Sequence, residues 1–207
     1  MLERITQEWQ ALARDFERDA ASNPQWFLRE RGGVRIRPTV VFAELEDTLA
    51  NWQELRASAW AGEAQDQLIT SEWTLKNLLA HVASWETEFV NQIQTALRRA
   101  EFDYTIVFSP KVGPKEWNDE QVGRRREHTL DEIFDEIESG TRRLQDLALE
   151  LPQDIFSTPR AFPIAFDSDP RAPWILSAAQ MMLTKCMHDR HHLARIENFR
   201  SSNEHRT

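Results

Sequence analysis

Apolar residues recur at spacings of three and four along five stretches of the chain, which is the period of an amphipathic α-helix. The first stretch covers residues 2–16 and must end before Pro24, because proline cannot continue a helix. The second runs from Phe42 to Ala59, and Gly62 is placed to cap its C-terminal end. Each stretch leaves an apolar stripe that needs a partner, so the pattern predicts a helical bundle.

The third and fourth helices have start signals in the sequence. Thr70 or Ser71 can accept hydrogen bonds from free backbone N–H groups, which predicts a third helix from there to about Ala100. Thr129 and Glu132 have the spacing of a capping box at the start of the fourth. The predicted core positions of these two helices are Leu75, Leu78, Val82, Phe89, Ile93, Ile133, Phe134, Ile137, Leu144 and Leu147.

Proline and glycine mark the connections between the helices. Residues 102–114 contain two prolines, a glycine and an aromatic-rich stretch, which is typical of a loop with a short strand. A short helix is expected to begin at Asn118. Five prolines from Pro152 to Pro173 predict a long irregular connection before the last helix.

The last periodic stretch runs from about Trp174 to Phe199. Five helical stretches with little strand signal predict an all-α fold, a four-helix bundle with an additional N-terminal helix and long loops. We expect residues 1–37 to form the N-terminal helix and linker, 38–200 the bundle, and 201–207 a disordered tail.

Composition narrows the functional classes. A chain of 207 residues with 41% hydrophobic and 29% charged residues is expected to fold as one soluble domain, and no apolar run is long enough to cross a bilayer. The first ten residues mix charged with apolar side chains and lack the pattern of a secretory signal, so we expect a cytoplasmic protein. A net charge of −9 argues against nucleic-acid binding.

Histidines concentrate in the last predicted helix. Residues four apart lie one above the other on a helix, so His188 and His192 can offer nitrogens to one metal ion about 2.0–2.1 Å from each. His191 is turned about 60° aside. Cys186 is the only cysteine, so a site must use nitrogen and oxygen ligands. His81, between an apolar and a polar face of the third helix, is the best candidate for a third ligand.

Periodicity alone leaves these histidines with two interpretations. A lone histidine beside an apolar face is more often a hydrogen-bonded core residue than a metal ligand. Apolar residues cover most of the circumference of the last helix, and the remaining stripe either lines a pocket or faces water. That stripe comprises Ser177, Met181, Thr184, His188, His192 and Arg195.

Longer motifs carry a resemblance to a known superfamily. Trp73-Thr-Leu-Lys76, followed by Leu79-Ala-His81-Val-Ala-Ser-Trp85-Glu86, is similar to the second-helix signature of the DinB-like superfamily of damage-inducible and related bacterial proteins. Trp117-Asn118 and His188-Asp-Arg-His-His192-Leu-Ala-Arg-Ile196 resemble the DfsB-like branch of that superfamily. The resemblance covers roughly residues 38 to 200 and implies a DinB-like four-helix bundle.

The resemblance also implies a metal site. In that superfamily one histidine of the second bundle helix and an H-x-x-x-H pair of the last helix hold the metal, and His81, His188 and His192 fall on those positions. It therefore implies an open site for one divalent transition metal, Zn, Ni, Fe or Mn. Members are similar to hydrolases and thiol-dependent transferases that act on reactive small molecules, which implies a stress or detoxification role and a low-molecular-weight thiol as a further cofactor.

An enzyme is the first functional interpretation. Three neutral imidazoles leave a metal its full charge and an open position, where water or a thiol loses its proton more easily. Glu88, two turns from His81, is a candidate general base or partner of a ligand, although a carboxylate at such a position is more often an ordinary solvated one. Asp189 follows a predicted ligand and is expected to point away from the site. Candidates for the pocket mouth are Tyr104, Trp117 and Asn118, unless they simply belong to the core.

The second interpretation is a non-catalytic bundle, a stress-response or structural protein whose histidines bind metal weakly or only pack. Eight tryptophans predict a large buried surface and, with it, a homodimer. The sequence names no substrate for either interpretation.

Overall fold

The computed structural model describes residues 36–98, 114–157, 160–162 and 174–204. Four predicted segments lie wholly or partly outside these ranges: the N-terminal helix, most of its linker, residues 102–113 of the loop with Tyr104, and residues 158–159 and 163–173 of the connection before the last helix. Seven helices and two strands are present in the described part of the chain. They are α1 (Pro38–Ala57), α2 (Ala59–Ala64), α3 (Leu75–Arg98), α4 (Pro114–Arg124), α5 (Leu130–Glu150), α6 (Gln153–Ser157), β1 (Arg160–Phe162), β2 (Trp174–Leu176) and α7 (Ala178–Glu204).

The four long helices form the predicted bundle. Helix α1 packs against α5 and α7, and α3 packs against the same two helices, so α1 and α3 occupy opposite corners. All ten predicted core positions of α3 and α5 are buried. The all-α fold is therefore confirmed, with one short antiparallel pair, β1 and β2, before the last helix.

The capping box of α5 is present as predicted. Thr129 Oγ1 accepts a hydrogen bond from the Glu132 N–H at 3.2 Å, and Glu132 Oε2 accepts from the Thr129 N–H at 2.6 Å. Both groups satisfy N–H donors that the first turn leaves without helical partners. Helix α5 accordingly begins at Leu130.

Two predicted helix boundaries are wrong at the N-terminal half of the bundle. Gly62 does not cap the second helix, which ends at Ala57; it lies inside α2 instead. Helix α3 begins at Leu75, because Thr70 Oγ1 accepts from the Glu72 and Trp73 N–H groups in a preceding turn. At the observed start of α3, Thr74 Oγ1 accepts the equivalent hydrogen bond from the Asn77 N–H, at 3.2 Å.

The start of the last helix also differs from the prediction. Residues Trp174–Leu176 pair with β1 as a strand, and α7 begins at Ala178. Ser177 Oγ accepts from the Gln180 N–H and Gln180 Oε1 accepts from the Ser177 N–H, which forms a second capping box. Helix α7 continues to Glu204, so the first four residues of the predicted tail are helical. The short helix α4 begins at Pro114, four residues before the predicted start.

A polar layer divides the core into two apolar clusters. One cluster contains Leu45 and Phe89, and the other contains Trp52 and Phe134. On each long helix a buried polar residue lies between the segments that enter the two clusters. These residues are Thr48 on α1, Glu86 on α3, Thr141 on α5 and Asp189 on α7, and the buried Lys185 lies one turn before Asp189. Because a buried charge requires a partner, this layer places a network of ion pairs inside the bundle.

Candidate metal centre

The three predicted ligands converge, although they come from two helices far apart in sequence. His188 Nε2 lies 3.1 Å from His81 Nε2 and 3.2 Å from His192 Nε2. One candidate ligand atom from each residue lies within 4.8 Å of the others. Two imidazoles bound tetrahedrally at the usual zinc distance would hold their nitrogens about 3.3 Å apart. The spacing therefore fits a single transition-metal ion held by three histidines.

The protein holds two of these rings in the neutral form that a metal requires. Burial, reinforced by the neighbouring His188, lowers the pKa of His81 to about 3 and that of His192 to about 2. A neutral imidazole has a lone pair available for coordination, so no proton needs to be displaced from these two rings at neutral pH. His191 is exposed and does not belong to the converging group, as its position on the helix predicts.

Glu88 lies on α3 with His81 but is not one of the converging residues. It is half-buried, its Oε1 accepts a 2.6 Å hydrogen bond from Gln92 Nε2, and burial raises its pKa. The group of converging ligand atoms found among the described residues does not include it. A catalytic role for Glu88 stays a prediction.

Asp189 does not point away from the site, and the prediction that it does is wrong. Its side chain is 1% exposed, and Oδ1 lies 3.3 Å from His188 Nδ1. Oδ2 accepts hydrogen bonds from Trp52 Nε1 at 2.8 Å and from Lys185 Nζ at 3.0 Å. The sequence contained a signal: Met182, Lys185 and Asp189 share the three- and four-residue spacing of one helix face. Charged residues on a core-facing stripe indicate a buried ion pair rather than solvent exposure.

Aromatic rings surround the histidines on one side. The Trp73 ring centroid lies 4.7 Å from that of His81, and the Trp85 centroid lies 6.1 Å from that of His188. Trp117 packs on Trp85 at 4.7 Å, and Asn118 Oδ1 accepts from Trp85 Nε1 at 3.0 Å. The two residues predicted at a pocket mouth therefore contact a tryptophan that borders the site.

The bundle and its site define a protein of the DinB-like superfamily. More particularly, the chain belongs to the family described as mycothiol maleylpyruvate isomerase N-terminal domain, whose family model matches residues 41–174. The match includes His81 and ends before His188 and His192, so the assignment of that pair depends on the geometry described above. It does not distinguish the DfsB-like branch. No curated protein and no solved structure matches the chain.

None of the described helices combines the length and the apolar character needed to cross a bilayer.

Proposed function

We propose that this chain is a divalent-metal enzyme that transfers a low-molecular-weight thiol to a reactive small molecule. The observation that carries the proposal is the convergence of His81, His188 and His192 through their Nε2 atoms. Mycothiol, a thiol named in the family description, is the first co-substrate to test, and maleylpyruvate, also named there, is the first electrophile.

The number and type of ligands favour catalysis over a purely structural site. Structural zinc sites are closed by four protein ligands, whereas catalytic sites use three and keep one position open. A divalent ion held by three neutral imidazoles would lower the pKa of a thiol or water at the open position. Imidazole ligands suit zinc, nickel and iron, and among these we propose zinc because a thiolate is a soft ligand.

The aromatic side chains beside His81 are proposed to shield that side of the metal site from water. The packed rings of Trp73 and Trp85 cover one side of His81, and Asn118 fixes Trp85 through its indole N–H. An apolar wall beside the ligands strengthens electrostatic interactions within the site and gives an electrophilic substrate an apolar surface to bind. We place this chemistry in the cytoplasm, where small thiols stay reduced, and assign it a detoxification role.

The five tryptophans whose side chains the structure describes do not themselves support a dimer. Trp52 and Trp117 are buried, and Trp60, Trp73 and Trp85 pack against apolar clusters of the same chain. The homodimer stays a prediction that sedimentation of the purified protein can test.

The experiment is a thiol-conjugation assay on the full chain, first stripped with a chelator and then reconstituted with zinc. We expect zinc-dependent loss of mycothiol with a general electrophile such as monochlorobimane, where the new C–S bond is kept. With maleylpyruvate we expect zinc- and mycothiol-dependent cis–trans isomerisation, in which the thiol adds and is then eliminated unchanged. His81→Ala should abolish this activity, and His191→Ala is the matched control. Zinc-dependent ester hydrolysis without a thiol would assign the chain to hydrolases instead. Failure to bind any divalent ion would overturn the proposal.

A further inference from the structure

We infer that Asp189, held by Lys185 and Trp52, is a positioning residue that fixes the His188 ring with its Nε2 lone pair toward the metal. The inference rests on the proposed function only in that a metal is what the lone pair binds. The orientation itself is a property of the metal-free protein.

His188 is the ring that most needs such support. His81 and His192 are each 5% exposed and are confined by packing, whereas 23% of the His188 side chain is exposed. Among the described residues, Nδ1 of His81 and Nδ1 of His192 are buried without a hydrogen-bond partner. His188 Nδ1 instead lies 3.3 Å from Asp189 Oδ1. A carboxylate only accepts hydrogen bonds, so it selects the His188 tautomer that carries its proton on Nδ1.

The carboxylate is itself fixed on its other oxygen. Trp52 Nε1 and Lys185 Nζ both donate to Asp189 Oδ2, at 2.8 and 3.0 Å. Because the buried ammonium group of Lys185 and the indole N–H of Trp52 both donate to Oδ2, Asp189 is held as the carboxylate partner of an ion pair and its Oδ1 can only accept a hydrogen bond. An ion pair that served only packing would not require the free oxygen to face a histidine.

Lys185 is held in turn by three acceptors, which matches the three donors of its ammonium group. Besides Asp189 it contacts Glu86 Oε1 and donates to Thr141 Oγ1 at 2.9 Å. Its side chain is 1% exposed. A buried ammonium satisfied in this way cannot follow a moving partner without losing hydrogen bonds, so it fixes Asp189 relative to α3 and α5.

Asp189→Asn tests the inference with almost no change of shape. The donors Trp52 and Lys185 both point at one side of the group, so the new amide must place its oxygen there and its NH2 toward His188 Nδ1. That amide would donate to Nδ1 and move the ring proton to Nε2, the metal-binding atom. Glu44→Gln is the matched control, because Glu44 is another buried carboxylate that pairs with α7, at Arg190, and not with a histidine.

Two measurements decide the question. Long-range 1H–15N correlation spectra of the metal-free protein at pH 8 should show the His188 proton on Nδ1 in the unmodified chain and in Glu44→Gln. The same spectra should show it shifted toward Nε2 in Asp189→Asn. Chelator competition should show zinc affinity weakened about 10–100-fold by Asp189→Asn and unchanged by Glu44→Gln.

The outcomes separate this inference from the proposed function. If the unmodified chain binds zinc and Asp189→Asn binds it equally well, the inference is overturned while the proposed function stands. If the unmodified chain binds no divalent ion, the proposed function is overturned, and the spectrum of the metal-free protein decides the inference separately. If Asp189→Asn does not fold, the spectrum of the unmodified chain still decides, since a His188 proton on Nε2 there would overturn the inference.

Discussion

The Nε2 atoms of His81 and His188 lie 3.1 Å apart although the two residues are 107 positions apart in the chain. A hydrogen bond between two neutral imidazoles explains one such contact, but His188 Nε2 also lies 3.2 Å from His192 Nε2 and has either one proton or one lone pair for the two neighbours. A shared metal ion accounts for the approach of both, and of His192, at once.

The first prediction concerns the ligands. His81→Ala, His188→Ala and His192→Ala should each weaken zinc binding by more than about 100-fold, beyond the loss expected for an outer partner of a ligand. His191→Ala should leave the affinity unchanged, since His191 lies outside the converging group. Isothermal titration with zinc measures all four variants. An effect of His191→Ala as large as that of His188→Ala would show that the ligand assignment is wrong.

The second prediction concerns acid stability of the metal-free protein. The folded chain holds the pKa of His81 near 3 and that of His192 near 2, below the unfolded value of 6.5. The unfolded state therefore binds more protons below about pH 6.5, and the free energy of unfolding must fall as the pH is lowered. His192→Asn should reduce this slope by up to about 1.4 kcal/mol per pH unit between pH 4 and 6.

Urea unfolding in a chelator at several pH values tests this dependence. His191→Asn is the control, because His191 is exposed and contributes less than burial, His188 or His81 to the lowered pKa of His192, so its replacement should change the slope less than His192→Asn does. A slope unchanged by His192→Asn would mean that His192 titrates normally in the folded chain.

The third prediction uses two helical glycines. A Cβ at Gly140 would lie 2.8 Å from Glu86 Cβ, so Gly140→Ala must displace the helix that carries Glu86 and should cost about 1–3 kcal/mol of stability. A Cβ at Gly123 meets no atom within 4 Å, so Gly123→Ala should stabilise α4 by up to about 1 kcal/mol. Thermal unfolding followed by circular dichroism measures both. Equal effects of the two substitutions would contradict the close packing at Gly140.

The fourth prediction separates two possible roles of Glu88, as a base and as the support of a ligand. Glu88→Gln should leave zinc affinity unchanged, because Glu88 bonds to Gln92 and lies outside the converging group. Zinc binding measured beside thiol-conjugation rate then tests its predicted role as a base. A drop in rate with constant affinity would support that role, and a drop in affinity would show that Glu88 supports a ligand.

The sequence alone determined the features that depend on short spacings. The capping box of Thr129 and Glu132 is a local exchange of hydrogen bonds, and the pair His188 and His192 shares one face by helix geometry. The core faces of α3 and α5 also follow from periodicity, because burying an apolar stripe is the main gain available to an amphipathic helix.

Only the tertiary structure decided which faces meet. Trp174–Leu176 has an apolar pattern that suits a helix, but pairing with β1 gives its backbone partners that lie outside the segment. Asp189 follows a predicted ligand and its position in the sequence suggests solvent exposure, yet Lys185 and Trp52 make its burial favourable by supplying two donors. His81 joins His188 because α3 packs against α7, and that contact depends on side chains distributed over the whole bundle rather than on the residues near either histidine.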